Sequence, residues 1–441
     1  MIPRNKSYWL TNAHIPESLI PHNDYPHKTR EGLCLVDLLI SQGNIQQVIP
    51  ANSAKENDFE QIDLQKKIVL PCFVDLHTHL DKGHIWERSP NLDGTFDTAL
   101  KTAISDSQQY WQTDDLLRRM EFSLKSAYAH GTKAIRTHID SFGDQAAISW
   151  QVLSDLQQKW QEKITLQGVS LVSIDYYQTE AGVALADRVQ ECAGILGGVA
   201  YTNPELEKQL DRVFQLAAER NLDLDFHADE NGDRDSICLQ KIAQTAIQRK
   251  FAGKITCGHC CSLAVQPLEV RTKTIELVKE AAIAIVSLPM CNLYLQDRQA
   301  GTTPYWRGVT KVQELAQQDI PVVFASDNTR DPFFGFGDLD MLEVWSQSIK
   351  IAHLDTPYGN WIDSVTKTPA EVMQLSGAGK IEPELPGDLI IFKARYFSEL
   401  LSRSHRDRIV LRNGQEVDTS LPDYSELDDL IGIDNYLMLF K

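Results

Sequence analysis

One stretch constrains the fold of this chain more than any other. The apolar run Ile68 to Leu76 ends abruptly in His77-Thr78-His79, with Leu80-Asp81-Lys82 following. Such a run reads as a strand buried inside the protein, and side chains at i and i+2 of a strand point to one side. His77 and His79 therefore offer both imidazoles to a single metal ion from the exit of a core strand. A lone His-x-His is common in proteins, so its weight depends on what the rest of the chain brings beside it.

The same kind of run recurs. Eight are found: Ile68 to Leu76, Ala134 to Ile139, Ile164 to Val172, Ile195 to Ala200, Leu222 to Phe226, Ile255 to Gly258, Ile283 to Leu288 and Val322 to Ala325. Amphipathic helical stretches separate them, among them Pro204 to Arg220 and Thr274 to Ala282. Short apolar runs also occur as buried helix segments. Taken as strands they make eight β–α units, an α/β (β/α)₈ TIM-like barrel with its active site at the C-terminal strand ends.

The two ends of the chain read differently. Cys34 to Ile40, a turn at Ser41-Gln42-Gly43-Asn44 and Ile45 to Ile49 form a hairpin signal. Gly387 to Phe392 and Arg408 to Arg412, ending at Asn413-Gly414, repeat that character near the other end. The expected organisation is a small β-sandwich domain built from residues 1–67 and 370–420, a barrel over 68–369 and a C-terminal tail over 421–441. The tail is acidic yet carries Leu430, Ile431, Ile433, Tyr436, Leu437, Leu439 and Phe440, too many apolar residues to dangle, so it covers the barrel or reaches a neighbouring subunit of a homo-oligomer.

Composition excludes several classes. A formal charge of −18 argues against nucleic acid as partner, because phosphate contacts need clustered Lys and Arg. No stretch reaches the ~18 apolar residues needed to cross a bilayer, and the first twenty residues carry no signal-peptide core. A cytoplasmic protein with a small-molecule partner is expected. The eight cysteines are too dilute for a disulfide scaffold, and Cys257, Cys260, Cys261 and Cys291 lack the second Cys-x-x-Cys pair of a zinc knuckle; they read as buried thiols.

Polar residues fitted for chemistry stand where the runs end: Asp225-Phe226-His227-Ala228-Asp229-Glu230 after the fifth, Cys257-Gly258-His259 after the sixth and Ser326-Asp327-Asn328 after the eighth. Singly, His227 or His259 reads as a core histidine bonded to a carbonyl, and Asp327 as a helix N-cap. On a barrel, with His77 and His79, they converge on one mouth. Nitrogen and carboxylate donors of this kind suit Zn²⁺ or Fe²⁺ with a position left open for water.

At this point the chain resembles a known family. His77-Thr78-His79-Leu80-Asp81-Lys82, the H-x-x-E of His227 and Glu230, Gly258-His259 and the run Ser326 to Phe333 are similar to the amidohydrolase superfamily, and within it the cytosine deaminase branch. The stretch Leu288 to Arg298 is similar to the strand-seven loop of those enzymes, and the likeness covers nearly the whole chain. It implies that His77, His79, His227 and Asp327 ligate one divalent metal, Zn or Fe, that His259 orients the metal-bound hydroxide, and that Glu230 carries a proton to the ring nitrogen while Asp327 takes one from water. Two-metal relatives bridge their ions with a carboxylated lysine or a glutamate from a middle strand; Gly194 to Ala200 offers neither, and Lys133 and Lys163 sit at strand entrances, which favours one ion.

The implied activity is hydrolytic deamination of a small N-heterocycle, cytosine or a related cyclic amidine, with release of ammonia. Two departures loosen the substrate. Gln178 stands near, without matching, the glutamine that reads the pyrimidine edge, and Asn328 replaces an acid. Phe333 resembles the family's aromatic wall, and Trp86 either walls the pocket or packs in its loop; Gln296 and Arg298 line the mouth or lie in a solvated loop. His138 on the second run reads as core packing more than as support for the ligands. Hydrolysis of a cyclic amide or an N-alkyl C–N bond on the same scaffold is the alternative chemistry, and a non-catalytic binding scaffold is disfavoured because every ligand position is kept.

Overall fold

The structure is a computed structural model that describes residues 7–53, 59–404 and 407–432. It divides into two compact units. The first takes in residues 1–75, 127–134 and 340–421, the second residues 76–126, 135–339 and 422–441.

In the first unit, Ser7–Pro16, Leu33–Ser41 and Asn44–Pro50 form an antiparallel sheet, with Glu60–Asp63 added parallel to Ser7–Pro16. The expected hairpin is present, and its two-residue turn places Gln42 and Gly43 at φ 53° and 87°. Left-handed backbone at both central positions is the turn whose twist matches that of paired strands. A second sheet joins Val69–Pro71, Leu389–Ile391, Ile409–Arg412 and Gln415–Glu416, again through a left-handed pair, Asn413 and Gly414. One apolar cluster collects Tyr8, Leu10, Val36, Leu38 and Ile40 from the first sheet and Val69, Leu389, Ile391 and Leu411 from the second.

The run Ile68 to Leu76 is not one strand, which corrects the sequence reading. Val69–Pro71 pairs antiparallel with Leu389–Ile391 and then stops. Pro71 lacks an N–H, and the next two amides change partners: Cys72 N donates to Asp388 O at 3.0 Å and Phe73 N to Gly131 O at 3.0 Å. The strand that carries the histidines begins only at Phe73.

The eight strands of the α/β alternation are β1 (Phe73–Thr78), β2 (Thr132–Asp140), β3 (Thr165–Leu171), β4 (Leu196–Ala200), β5 (Leu224–Ala228), β6 (Ile255–His259), β7 (Ala284–Ser287) and β8 (Val322–Phe324). Strands β4 to β8 form a sheet in sequential order, every pair parallel, and β1 to β3 form another. Single parallel bridges cross from one to the other at both sides: Val169 to Ile195 and Ser173 to Val199 at β3–β4, and Thr78 to Asp327 at β1–β8. Helices such as Leu206–Arg220 intervene. That helix buries Leu206, Leu210, Val213, Phe214 and Ala217, an i, i+4, i+7 stripe, and ends in a left-handed Asn221. No helix among the described residues is long and apolar enough to cross a membrane.

The described part of the tail packs on the second unit. Asp429 accepts two bonds from Arg118, both 2.7 Å, Leu427 is buried, and the Tyr424 ring lies 4.6 Å beneath the Arg330 guanidinium and 5.5 Å from Phe122. The apolar residues Ile433 to Phe440 lie outside the described residues.

Candidate metal centre

His77 and His79 leave β1 on one side, as their spacing requires, and meet His227 from β5 and Asp327 just past β8. Asp327 Oδ1 lies 3.5 Å from His77 Nε2 and 3.3 Å from His79 Nε2, while the Nε2 atoms of His79 and His227 face each other at 3.3 Å. An ion held tetrahedrally at ~2.1 Å sets its ligands about 3.4 Å apart, so this spacing fits one divalent cation. Neither ring nitrogen of His77 has a hydrogen-bond partner, nor has His227 Nδ1, although all are buried. Buried polar groups without partners are costly, and a shared ion relieves that cost.

The electrostatics agree. Burial, reinforced by neighbouring positive charge, pushes His77, His79, His138 and His227 well below the usual histidine range. The imidazoles are neutral at physiological pH and keep their lone pairs for a metal. Gly258 on β6 belongs to the same geometry. A Cβ there would lie 2.9 Å from His77 Cε1 and 3.1 Å from Nδ1, so the imidazole occupies the space a side chain would fill. Three strand exits hold non-glycine residues in left-handed backbone: Asp229 at φ 52°, His259 at 67° and Asp327 at 66°. Such conformations cost of order 1–3 kcal/mol each and persist where the surrounding structure enforces them.

Glu230 and His259 complete the cluster. His259 Nδ1 lies 3.2 Å from Glu230 Oε1 and 3.0 Å from Asn292 Nδ2. Burial, and then the charge of Asp327, raises Glu230 well above the carboxylate range, while burial lowers His259 to about 3 against the Asn292 bond. The single lone pair of an unprotonated Nδ1 accepts from one of two neighbours, the Asn292 amide or the Glu230 carboxyl. His259 then carries its proton on Nε2, a buried atom with no other partner. Gln296 donates to Glu230 O at 3.2 Å and braces the same turn.

The other expected residues are placed as follows. Asn328 is buried and donates to Asp331 Oδ2 at 2.7 Å; burial raises Asp331 to about 6, and it also accepts from Phe333 N and Phe334 N. Phe333 is half-buried, edge-on to Phe96 at 5.5 Å. Trp86 is half-buried with its ring against Gly335, where a Cβ would come within 3.0 Å of it. Gln178 closes the turn Ile174–Gln178 as an exposed residue; its neighbour Tyr177 is the buried one, donating to Gly197 O at 2.8 Å. Arg298 is exposed and lies over the Tyr294 ring. Lys133 pairs with Asp388 at 2.8 Å.

Sequence reasoning undervalued His138. Its ring lies 4.0 Å from His77 and 4.6 Å from His227, and with those two it forms a second group of donors close enough to hold a metal. The signal is Arg136-x-His138-x-Asp140, three polar residues alternating through a buried strand. Arg136 donates to Asp225 at 2.8 Å, and Asp140 accepts from Lys82, whose Nζ stands 3.3 Å from His79 Nδ1. Asn292 carried no signal beyond its place in the Leu288–Arg298 stretch.

Residues 136–418 match a family model described as "Amidohydrolase family". The chain is 46% identical over 431 residues to a pterin deaminase of Rhizobium rhizogenes, covering 98% of each. It is 24% identical over 374 residues to an N-isopropylammelide isopropyl amidohydrolase of Pseudomonas sp. strain ADP, covering 81% of this chain and 87% of that one. In fold it is similar to 5-methylcytosine deaminase of Klebsiella pneumoniae liganded with 5-fluorocytosine, with a TM-score of 0.80, 23% identity and coverage of 94% and 98%.

Proposed function

The chain belongs to the amidohydrolase family, and from that premise we propose that it is a metal-dependent hydrolytic deaminase acting on a pterin-type ring, a fused 2-amino-4-oxo heterocycle. The observation that carries the reading is the cluster of three histidines and the Asp327 carboxylate with Glu230 beside His259, where burial raises the Glu230 carboxyl well above its ordinary range. The extensive identity with the pterin deaminase supports that ring over cytosine.

The eight strands are read as one (β/α)₈ barrel, the terminal sheets as a β-sandwich. His77, His79, His227 and Asp327 hold a single divalent ion, Zn or Fe. Such an ion supplies Lewis acidity and makes water nucleophilic at neutral pH. Asp327 accepts the proton that water gives up. As water adds to the amino-bearing carbon, Glu230 delivers its proton to the adjacent ring nitrogen, and His259 Nε2–H donates to the oxygen on which charge gathers. Asp327 then gives its proton to the amino group, which leaves as ammonia, while the added hydroxyl returns a proton to Glu230 and becomes the carbonyl. Each positioned proton transfer is worth roughly 10²–10⁴-fold in rate.

Glu230→Gln tests the assignment, since the amide keeps the shape and cannot deliver a proton. The expected result is full metal content with turnover reduced at least ~10²-fold. Near-normal ammonia release by that variant rejects the role. Release of an alkylamine from an N-alkylated triazine, with none of ammonia from pterin, favours the alternative chemistry suggested by the second relative.

A further inference from the structure

Strands β4 and β5 are parallel and in a register that sets Gly197 beside Asp225 and Val199 beside His227. Laterally paired residues of a parallel sheet point to the same face, and the alternation repeats every second residue. Val199 therefore shares the face of His227, and Tyr201 follows two residues later, just past the strand end at Ala200. Exposure supports this. Val199 is part-exposed although it lies inside a strand whose other residues are buried, as expected where a strand borders a solvent-reached hollow. Tyr201 is 45% exposed, a large ring left open to solvent.

Its backbone is nonetheless held. Asn203 Nδ2 donates to Tyr201 O at 2.8 Å, and the next residue, Thr202, accepts from Ile237 N at 3.1 Å. Asp229, next to Glu230, caps the same helix start by accepting from Cys238 N and Leu239 N, both at 2.9 Å. The turn that presents Tyr201 is thus tied to the turn that presents Glu230. Burial holds the phenol in its protonated form. Nothing in the proton transfers above uses Tyr201.

We infer that Tyr201 is a substrate-binding residue whose ring stacks on the distal ring of a fused two-ring heterocycle and so selects fused rings over single ones. This rests on the deaminase reading for which ring lies at Glu230. Two residues of strand, about 6.6 Å, separate the level of Val199 from that of Tyr201. A single six-membered ring held beside His227 stops short of the phenol, while a fused second ring reaches it.

The test is equilibrium binding of pterin and of cytosine to the metal-loaded full chain, with ammonia release measured on the same samples. Tyr201→Ala should weaken pterin binding about tenfold, the loss of one offset ring stack, while Tyr201→Phe should stay within about twofold of the unmodified chain. Cytosine binding should change by less than about twofold in both, and metal content should not change. A Tyr201→Ala variant that binds pterin normally, a Phe variant as weak as the Ala one, or an equal loss for cytosine overturns the inference. So does an unmodified chain that binds no pterin. An unmodified chain that binds pterin and releases no ammonia instead rejects the deaminase reading, and the titration still decides Tyr201.

Discussion

Gly258→Ala perturbs the centre without touching a ligand atom. The new Cβ would lie 2.9 Å from His77 Cε1. Ordinary contact between carbons is about 3.5–4.0 Å, so the imidazole must shift by roughly 0.6–1.1 Å. It has little room to do so, since His77 is fully buried with His138 at 4.0 Å and His227 at 4.6 Å on its other sides. Overpacking of this kind costs typically 1–3 kcal/mol, which a protein of this size survives. The metal centre is more sensitive. Disturbing the orientation of a ligand weakens metal binding by about 10–100-fold, and a ~1 Å misplacement near the chemistry lowers rate by about 10²-fold. Competition with a chelator of known affinity gives the metal constant, kcat/KM at saturating metal gives the rate, and thermal unfolding shows that the variant folds. A folded Gly258→Ala protein with unchanged metal affinity and rate would refute the placement of His77 as a ligand.

Three further expectations follow from the same structure. His84 is buried against Phe122, with Tyr424, Arg330 and Arg119 around it, and burial lowers it to about 3. The unfolded chain protonates His84 near its ordinary value, so stability is whole above that and drains between about pH 6.5 and pH 3, by ~1.4 kcal/mol per pH unit; urea midpoints of His84→Leu should fall less steeply over pH 6.5 to 4, and parallel curves would contradict this. Arg136→Met leaves Asp225 buried without its 2.8 Å partner and should cost about 3–5 kcal/mol, most of it recovered by adding Asp225→Asn; equal instability of the double variant would show that packing, not charge, is lost. Arg118→Ala breaks exposed pairs of the tail with Asp429, so its effect should be below ~1 kcal/mol and vanish in high salt, measured by denaturant titration.

The alternation of apolar runs and helices was legible because strands buried on both faces carry almost no polar residues until they end, so chemistry at the exits stands out. That is why His77, His79, His227, His259 and Asp327 were found together and why seven of the eight runs coincide with strands. The first run misled because apolar content does not record a change of hydrogen-bonding partner, here at Cys72. His138 reads as core packing because it is a histidine inside a strand, and its closeness to His77 and His227 is set by the placement of β2, which the sequence does not carry. Residue type alone points to Gln178 and does not convey that the turn Ile174–Gln178 leaves it exposed while burying Tyr177. Tyr201 escaped notice because its face is set by register with a strand far along the chain.

The central claim is that these buried histidines and carboxylates form a mononuclear centre that removes an amino group from a fused ring. The direct measurement is metal content and ammonia release from pterin on one purified sample. About one divalent ion per chain and one ammonia for each ring deaminated are expected, with activity lost on chelation and restored by metal. A metal-filled protein that releases no ammonia from pterin or any other aminated heterocycle would contradict it.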